Sequence, residues 1–311
     1  MVAHNKCTSR YMYTYFMKGI VLAGGTGSRL WPITLGTNKH LLPVYDKPMI
    51  HYPIATLMAA GIREIIVISN PSDLVSYKKL LGDGSAIGVQ FRYAVQESPR
   101  GIAESFLIAE DFLKNSSVCL ILGDNIFHGS GLGRQLMEHT EIVGAQVFAY
   151  GVSNPGDYGV IEFNKNGNAI SIEEKPSDPK SNFAIPGLYF FDNTVIEIAR
   201  NVNPSARGEL EITEVIRNYM MREKLKVSIL PRGTAWLDTG TVQNLHDASS
   251  YIKVIEERQG SKVGCIEEVS WRQGWIHDSD LQTIADKYSS SPYGNYLRNL
   301  PKSREIGNED R

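Results

Sequence analysis

The sequence has few cysteines and no long apolar run. Its 311 residues include only Cys7, Cys119 and Cys265, an odd number at distant positions. This argues against a disulfide framework and favours a reducing compartment, so we expect a cytoplasmic protein. No apolar stretch approaches the roughly 20 residues of a membrane helix, so we expect no membrane association. The formal net charge of −2 gives no general attraction to nucleic acid.

What is present is the composition of an ordinary soluble globular protein, with 42% hydrophobic and 21% charged residues. The length allows a large core, arranged as one elaborate domain or two small ones. Residues 1–16 lack both a sustained apolar core and a small-residue cleavage site, so they do not resemble a secretory signal. We expect either that Met17 is the physiological start or that residues 1–16 form a dispensable, disordered extension.

The most informative stretch is a short apolar run followed by glycines and cations. Residues 20–22 predict a buried strand that ends in a loop. The loop glycines permit positive φ and a close approach to a ligand: Gly24, Gly25 and Gly27. Successive N–H groups in such a loop bind anions, and Arg29 and Lys39 add positive charge. The pattern predicts a cradle for a triphosphate.

Glycines alone do not settle this interpretation. The stretch is not a Walker-type phosphate loop, and Leu30 occupies the place of the third glycine in a dinucleotide fingerprint. A tight strand-to-helix turn with solvated cations fits the glycines about equally well.

Strands and helices alternate over the first 150 residues. Apolar runs predict buried strands at 20–22, 64–68, 89–95, 118–122 and 145–150. Helical spacing predicts helices at 49–60, 74–81, 102–113 and 131–141. Such alternation indicates an α/β fold with a largely parallel sheet, whose ligands bind at the carboxyl ends of the strands. The Gly24 loop and Asp124 both fall at strand ends of this kind.

From residue 151 the pattern changes to short strands separated by turn residues. They are predicted at 159–163, 170–174, 187–191, 226–230 and 234–237, and further helices at 211–222, 242–257 and 281–287. We interpret residues 151–230 as a substrate-binding β insertion within a domain spanning 17–240. Residues 241–300 are then a C-terminal helical portion, and the charged tail 301–311 is expected to be frayed.

Several motifs in one order resemble the sugar-1-phosphate nucleotidylyltransferases. They are Leu22-Ala23-Gly24-Gly25-Thr26-Gly27-Ser28-Arg29-Leu30, Lys39, Leu41-Leu42-Pro43, Leu81-Gly82-Asp83-Gly84-Ser85, Leu122-Gly123-Asp124-Asn125, Glu173-Glu174-Lys175-Pro176, Arg207-Gly208-Glu209-Leu210-Glu211-Ile212-Thr213 and Ala235-Trp236-Leu237-Asp238-Thr239-Gly240. The resemblance covers Met17 to about Leu300. Residues 45–50 narrow it to members that use dTTP. It implies the nucleotide-diphospho-sugar transferase fold, a Rossmann-like mixed, mostly parallel sheet flanked by helices.

The resemblance also implies an activity. It is the Mg²⁺-dependent transfer of a thymidylyl group from dTTP to α-D-glucose 1-phosphate, giving dTDP-glucose and pyrophosphate. This reaction begins the formation of dTDP-L-rhamnose and related deoxysugars. The family is typically a homotetramer with feedback by dTDP-rhamnose, although a core helix and an interface helix look alike in the sequence.

Site residues follow from the resemblance position by position. It implies catalytic cations at Arg29, Lys39 and Lys175, and Mg²⁺ ligands at Asp124 and Asp238. Nucleotide contacts are implied at Leu22, Gly24, Gly25, Thr26, Gly27, Ser28, Arg29, Lys39, His40, Gln96, Gly101 and Asp124. Sugar contacts are implied at Asn125, Gly159, Glu174, Lys175 and Ile185. Without the resemblance, each strand-end aspartate is more simply a turn former or helix cap, and Gln96 an ordinary polar loop residue.

The chain departs from the family pattern at a few positions. His40 replaces a usual Gln, Pro186 follows Ile185 where the family more often has Thr, and Glu104 replaces a usual Gln. Three other functions stay open: the same chemistry with UTP or another nucleotide, a non-catalytic sugar-nucleotide sensor, and a nicotinamide-dependent oxidoreductase.

Overall fold

A computed structural model describes residues 17–304. The predictions for residues 1–16 and for most of the charged tail, 305–311, lie outside the described residues. The strands are β1 (Met17–Ala23), β2 (Pro43–Val44), β3 (Lys47–Pro48), β4 (Glu64–Ser69), β5 (Gln90–Val95), β6 (Ser117–Leu122), β7 (Asn125–His128), β8 (Ala145–Gly151), β9 (Gly159–Phe163), β10 (Ala169–Glu174), β11 (Phe183–Ala184), β12 (Leu188–Phe191), β13 (Leu225–Ile229) and β14 (Ala235–Asp238).

The helices surround these strands. They are α1 (His51–Ala59), α2 (Leu74–Leu81), α3 (Glu104–Ile108), α4 (Glu110–Leu113), α5 (Leu132–Met137), α6 (Val195–Arg200), α7 (Ile212–Met221), α8 (Val242–Gln259), α9 (Ile266–Arg272), α10 (Asp278–Lys287) and α11 (Pro292–Arg304). None of the helices within residues 17–304 combines the length and apolarity needed to cross a membrane.

The main sheet has ten strands and is mixed. Its order is β10-β9-β11-β8-β12-β6-β1-β4-β5, with β13 pairing with β8. The strands β6, β1, β4 and β5 run parallel, whereas β12 pairs antiparallel with both β6 and β8. The predicted fold class, a sheet that is parallel at its core and flanked by helices, is therefore confirmed.

The parallel strands bring three loops to one edge of the sheet. Gly24 follows β1, Gln96 follows β5, and Asp124 closely follows β6. The side chains of β1 and β6 are largely buried because helices cover both faces of the sheet, as expected for parallel strands. The rigid, apolar strands thus fix the positions of the polar loops at their carboxyl ends.

A separate two-stranded sheet completes this edge. β14 pairs antiparallel with β7 and places Asp238 opposite Asn125. The sequence did not predict this sheet or β7. β7 has only four residues, directly after the loop of Gly123 and Asp124, and four residues are too few to show the alternation of a strand. The pairing brings the two predicted metal ligands to the same place.

Two apolar cores lie on the two faces of the main sheet. One contains α1 and extends to the C-terminal helices through residues such as Trp271 and Leu281. The other contains α6 and α7, and in it Phe191 of β12 stacks on Tyr219 of α7. The C-terminal helical portion therefore shares a core with the first strands.

Some helices differ in extent from the prediction. The helix predicted at 102–113 is interrupted at Ala109, whose ψ of 4° leaves the helical region, and it forms α3 and α4. The helix predicted at 131–141 covers only Leu132–Met137, because the Thr140 hydroxyl donates to the Met137 carbonyl at the helix end. Helices α6, α9 and α11 were not predicted; α11 begins with Pro and contains Pro301, which hides its helical pattern.

Candidate active site

The glycine loop after β1 has the expected backbone at two of its three glycines. Gly25 and Gly27 have φ of 93° and 61°, in the left-handed region that glycine tolerates. Gly24 is constrained differently: a Cβ on it would lie 2.7 Å from Gln96 Oε1. Thr26 and Ser28 lie in the same loop, so the loop presents backbone and small side chains at the sheet edge.

Asn38 holds the end of this loop that carries Lys39 and His40. Its Oδ1 accepts hydrogen bonds from the His40 N–H at 2.9 Å and from the Tyr77 hydroxyl at 2.8 Å. The His40 ring is 1% exposed, lies 2.7 Å from the same Oδ1, and would meet a Cβ placed on Gly123. Burial lowers the pKa of His40 to about 3, so the ring is neutral at physiological pH. His40 therefore lies beneath the loop, where it packs between protein groups.

Lys39 points from this loop to the end of β6. Its Nζ forms a short ion pair with Asp124, whose other oxygen accepts from Asn125 Nδ2 at 2.9 Å. Burial by itself would raise the pKa of Asp124, but the Lys39 ammonium lowers it below its usual range. Leu22 links the two loops, since its carbonyl accepts the Gly123 N–H at 2.9 Å. The cation and carboxylate are thus fixed to each other before any ligand binds.

Asp124 and Asp238 converge at the end of the β7–β14 pair. Thr239 ties the two segments together, because its N–H and its hydroxyl both donate to the Asp124 carbonyl, at 3.1 and 2.8 Å. Burial and the nearby Asp124 carboxylate raise the pKa of Asp238 to about 6, against the opposing effect of Lys39 and Arg29. The charged form of Asp238 is therefore under-compensated in the folded protein.

This pair fits a hard divalent cation. Because Lys39 pairs with Asp124, it leaves the negative charge of Asp238 largely uncompensated. An added positive charge would therefore stabilise the Asp238 carboxylate. Among residues 17–304, no cluster of three or more His, Cys, Asp and Glu side chains could hold a metal ion. Two carboxylates suit an ion such as magnesium, which takes its other ligands from phosphates and water.

A cavity of about 410 Å³ opens beside the two aspartates. Arg29 and Lys175 line it, and within the described residues neither forms a salt bridge. Lys175 has a φ of 43°, which residues other than glycine seldom adopt, directly after β10. The cavity therefore carries two unpaired cations, an arrangement suited to an anionic ligand.

One carboxylate that lines the cavity, Glu174, lies near a second carboxylate, Glu211. Burial and the neighbouring Glu211 raise the pKa of Glu174. Arg207 bridges them: its guanidinium binds both oxygens of Glu211 at 2.9 Å and lies 3.5 Å from Glu174. A carboxylate at the edge of a cavity can accept hydrogen bonds from the hydroxyls of a bound sugar.

The other predicted sugar contacts lie around the same cavity. Asn125 is 3% exposed, and its Oδ1 accepts from Trp236 Nε1 at 2.6 Å and from the Gly187 N–H at 3.0 Å. Gly159 and Ile185 bond to each other, since the Ile185 N–H donates to the Gly159 carbonyl at 2.8 Å. This hydrogen bond occupies the Gly159 carbonyl and the Ile185 N–H.

Gln96 and Gly101 lie apart from this cavity, beside the glycine loop. Gln96 Nε2 donates to Glu104 Oε2 at 2.8 Å and approaches the Gly101 carbonyl at 3.3 Å. Gly101 has a φ of 101°, and a Cβ on it would lie 2.4 Å from the Leu210 carbonyl. The glycine loop and Gln96 therefore form one side of the site, and the sugar-side residues the other.

Several cavity residues had no assigned role in the sequence. Trp236 and Tyr158 stack edge to face at 5.0 Å, and both line the cavity. Strand alternation could have identified Trp236, because positions 236 and 238 lie on the same face of a strand. Arg207 and Glu211 belong to the motif at residues 207–213, but their contact with Glu174 depends on the fold.

Known proteins support the class that this geometry indicates. A nucleotidyl transferase family model matches residues 18–254. A curated glucose-1-phosphate thymidylyltransferase from Mycolicibacterium smegmatis is 55% identical over 284 residues, 91% of this chain and 99% of that protein. One of the same name from Neisseria meningitidis is 53% identical over 287 residues, 92% of this chain and 100% of that protein.

Solved structures agree with these matches. A proposed glucose-1-phosphate thymidylyltransferase from Bacillus anthracis, in complex with sucrose, has a TM-score of 0.69 and 40% identity, covering 76% of this chain and 94% of that chain. A UDP-glucose pyrophosphorylase complexed with UDP-glucose has a TM-score of 0.66 and 26% identity, covering 77% of this chain and 99% of that chain.

The fold and the site thus define a nucleotidyltransferase, an enzyme that joins a nucleotide to an acceptor. The chain belongs to the nucleotidyl transferase family. Within that family it belongs with the glucose-1-phosphate thymidylyltransferases, to which it is similar over nearly the whole length of each relative.

Proposed function

We propose that this chain transfers a thymidylyl group from dTTP to α-D-glucose 1-phosphate, giving dTDP-glucose and pyrophosphate. The observation that carries the proposal is the 55% identity to curated enzymes of that name over 91% of the chain. The geometry is consistent with it, since paired aspartates and unpaired cations face a cavity that also holds Glu174. A nicotinamide-dependent oxidoreductase has no such support.

The chemistry needs little from the protein beyond charge and positioning. An oxygen of the sugar phosphate attacks the α-phosphorus of dTTP; the new phosphorus–oxygen bond forms as the bond to pyrophosphate breaks. A phosphate monoester has a second pKa of about 6, so this oxygen is anionic at neutral pH and needs no general base. Arg29 and Lys175 offset the repulsion between the two polyanions and stabilise charge in the transition state.

The finer assignments belong to the same proposal. Asp124 and Asp238 would hold Mg²⁺, which supplies positive charge to the triphosphate when bound. Lys39 keeps Asp124 ionised, Glu174 accepts hydrogen bonds from glucose, and Gln96 contacts the base. By resemblance we also propose a cytoplasmic homotetramer subject to feedback by dTDP-rhamnose, at the start of the dTDP-L-rhamnose route.

Pyrophosphate release tests the proposal. The protein is mixed with glucose 1-phosphate, Mg²⁺ and each of dTTP, UTP, CTP, ATP and GTP, with an EDTA control. We expect release with dTTP that EDTA abolishes. A preference for UTP would instead match the pyrophosphorylase relative and keep the mechanism. A folded protein that releases no pyrophosphate with any nucleotide or sugar phosphate would be a sensor of sugar nucleotides.

A further inference from the structure

Asn70 lies at the end of the strand next to β1, and its side chain reaches across to the glycine loop. β4 runs parallel to β1 with Ser69 opposite Ala23, so the residues that follow these two strands are neighbours. Asn70 follows β4 directly, and its Nδ2 donates to the Gly25 carbonyl at 2.9 Å. Asn70 belongs to none of the motifs described above.

Two acceptors fix the orientation of the Asn70 amide. Besides the Gly25 carbonyl, its Nδ2 lies 3.4 Å from Asp73 Oδ2. A carbonyl and an ionised carboxylate only accept hydrogen bonds, so a turned amide would place its oxygen against two acceptors. Asp73 is itself held, because Asn38 Nδ2 donates to the same oxygen at 2.7 Å. The Asn70 amide therefore offers a donor to the glycine loop in a fixed direction.

The Gly25 carbonyl depends on this donor. Within residues 17–304, no group other than Asn70 donates to it. The Gly27 carbonyl differs, since it accepts from the Leu30 N–H at 2.9 Å and from the Thr34 hydroxyl at 2.8 Å. A Cβ on Gly25 would have no atom within 4 Å, so packing does not select the orientation of this peptide group. That orientation is therefore set largely by Asn70.

The direction of the Gly25 carbonyl sets the direction of the next N–H. In a trans peptide the C=O and N–H groups point to opposite sides, so a carbonyl held toward Asn70 turns the Thr26 N–H away from it. Thr26 is exposed, and in the part of the chain that the structure describes the N–H groups of residues 24–29 donate no hydrogen bond. Free N–H groups in such a loop bind anions such as phosphate.

We propose that Asn70 is a positioning residue that aims the Thr26 N–H at the phosphates of a bound nucleoside triphosphate. Asn70 acts through the Gly25 peptide group and does not contact the nucleotide. Without its donor the peptide group can turn over, because glycines at 24 and 25 tolerate both orientations, and the Gly25 carbonyl would then repel the phosphates. This role has meaning only if the chain binds nucleotides, so it rests on the proposed function.

Asn70→Leu tests this role, because leucine has nearly the same size as asparagine and cannot donate a hydrogen bond. We expect the KM for dTTP to rise about tenfold, since one hydrogen bond to a charged group is worth about that factor. The KM for glucose 1-phosphate and kcat should each stay within about threefold of wild type, as expected when an interaction made equally in the ground state and the transition state is lost. Asn70→Ala also lacks the donor but is smaller, and it should raise the KM for dTTP by the same factor.

Asn201→Leu is the matched control, because Asn201 Nδ2 also donates to a backbone carbonyl, that of Glu197, at 2.9 Å, but at the end of α6. It should keep both wild-type KM values, and all three variants should keep the wild-type Tm. An unchanged KM for dTTP in Asn70→Leu, or an equal rise in KM for both substrates, would overturn the proposal. If Asn70→Leu does not fold, Asn70→Ala decides by the same criteria.

Calorimetric Kd values for dTTP make the same comparison without turnover. We expect the Kd of Asn70→Leu to be about tenfold weaker than that of wild type. If wild type binds dTTP but releases no pyrophosphate, the proposed function fails while the Kd ratio still tests Asn70. A wild type that binds neither dTTP nor UTP would refute both.

Discussion

Replacing Asp238 by Asn should make the ligand-free protein more stable while it suppresses turnover. Residues opposite each other in an antiparallel pair lie roughly 5 Å apart, and Asp238 lies opposite the residue after Asp124. Burial and the repulsion of the nearby Asp124 carboxylate both disfavour the charged form of Asp238. The pKa of Asp238, about 6 against an ordinary 3.8, corresponds to a cost of about 3 kcal/mol, since each unit is about 1.4 kcal/mol.

We therefore expect Asp238→Asn to raise the free energy of unfolding by about 2–3 kcal/mol in metal-free buffer at neutral pH. The gain depends on pH with a definite sign. Because the folded pKa is raised, the wild-type penalty is absent below the unfolded pKa and grows as the pH rises from about 4 to about 6. Turnover should fall about 100-fold or more, since a charged group at the reacting phosphates is removed.

Asp124→Asn is the matched control, because the same chemical change should have the opposite effect on stability. Asp124 is the partner of Lys39, so its loss leaves a half-buried ammonium unpaired and should cost on the order of 2 kcal/mol. Urea unfolding with EDTA, followed by circular dichroism, measures both variants. If the two variants shift stability in the same direction, or if Asp238→Asn destabilises the protein, the electrostatic reasoning is wrong.

Two further predictions concern groups away from the cavity. Lys47 is buried and pairs with Glu256 at 2.8 Å and with Asp46, so Lys47→Met should lose about 3 kcal/mol in urea unfolding. Glu256→Met should lose at least as much, because it also removes the acceptor of Lys262 and of the Val263 N–H. A Lys47→Met variant as stable as wild type would contradict this. His51 is 6% exposed, neither of its ring nitrogens has a hydrogen-bond partner among residues 17–304, and burial lowers its pKa. Wild type should therefore lose stability as the pH falls below about 6.5, and His51→Phe should remove up to about 1.4 kcal/mol per pH unit of that loss; equal pH slopes would refute it.

The elements that the sequence predicted well depend on local patterns. The strand at 64–68 is an unbroken apolar run, and the helix at 74–81 repeats at helical spacing, so each can be recognised within its own residues. The positions of Gly24 and Asp124 at strand ends follow from the same runs. Local patterns therefore placed the polar loops correctly along the chain.

What the sequence left open depends on pairing between distant segments. Asp238 meets Asp124 only because β14 pairs with β7 in one register, and a shift of one residue would turn the carboxylate to the other face. The contact of Glu104 with Gln96 requires α3 to begin directly over the end of β5. Neither register nor helix placement is encoded in the spacing of the residues concerned.

The decisive property of this site is which charges are already paired in the folded protein. The sequence shows the cations and carboxylates, but it does not show that Lys39 is committed to Asp124. That commitment leaves Asp238 under-compensated, and Arg29 and Lys175 line the same cavity without a salt bridge to any residue that the structure describes. A bound cation alone would compensate only the charge of Asp238, and a bound polyanion alone would compensate only the charges of Arg29 and Lys175. Cation and nucleotide should therefore each tighten the binding of the other, by the same factor, because binding free energies are reciprocal.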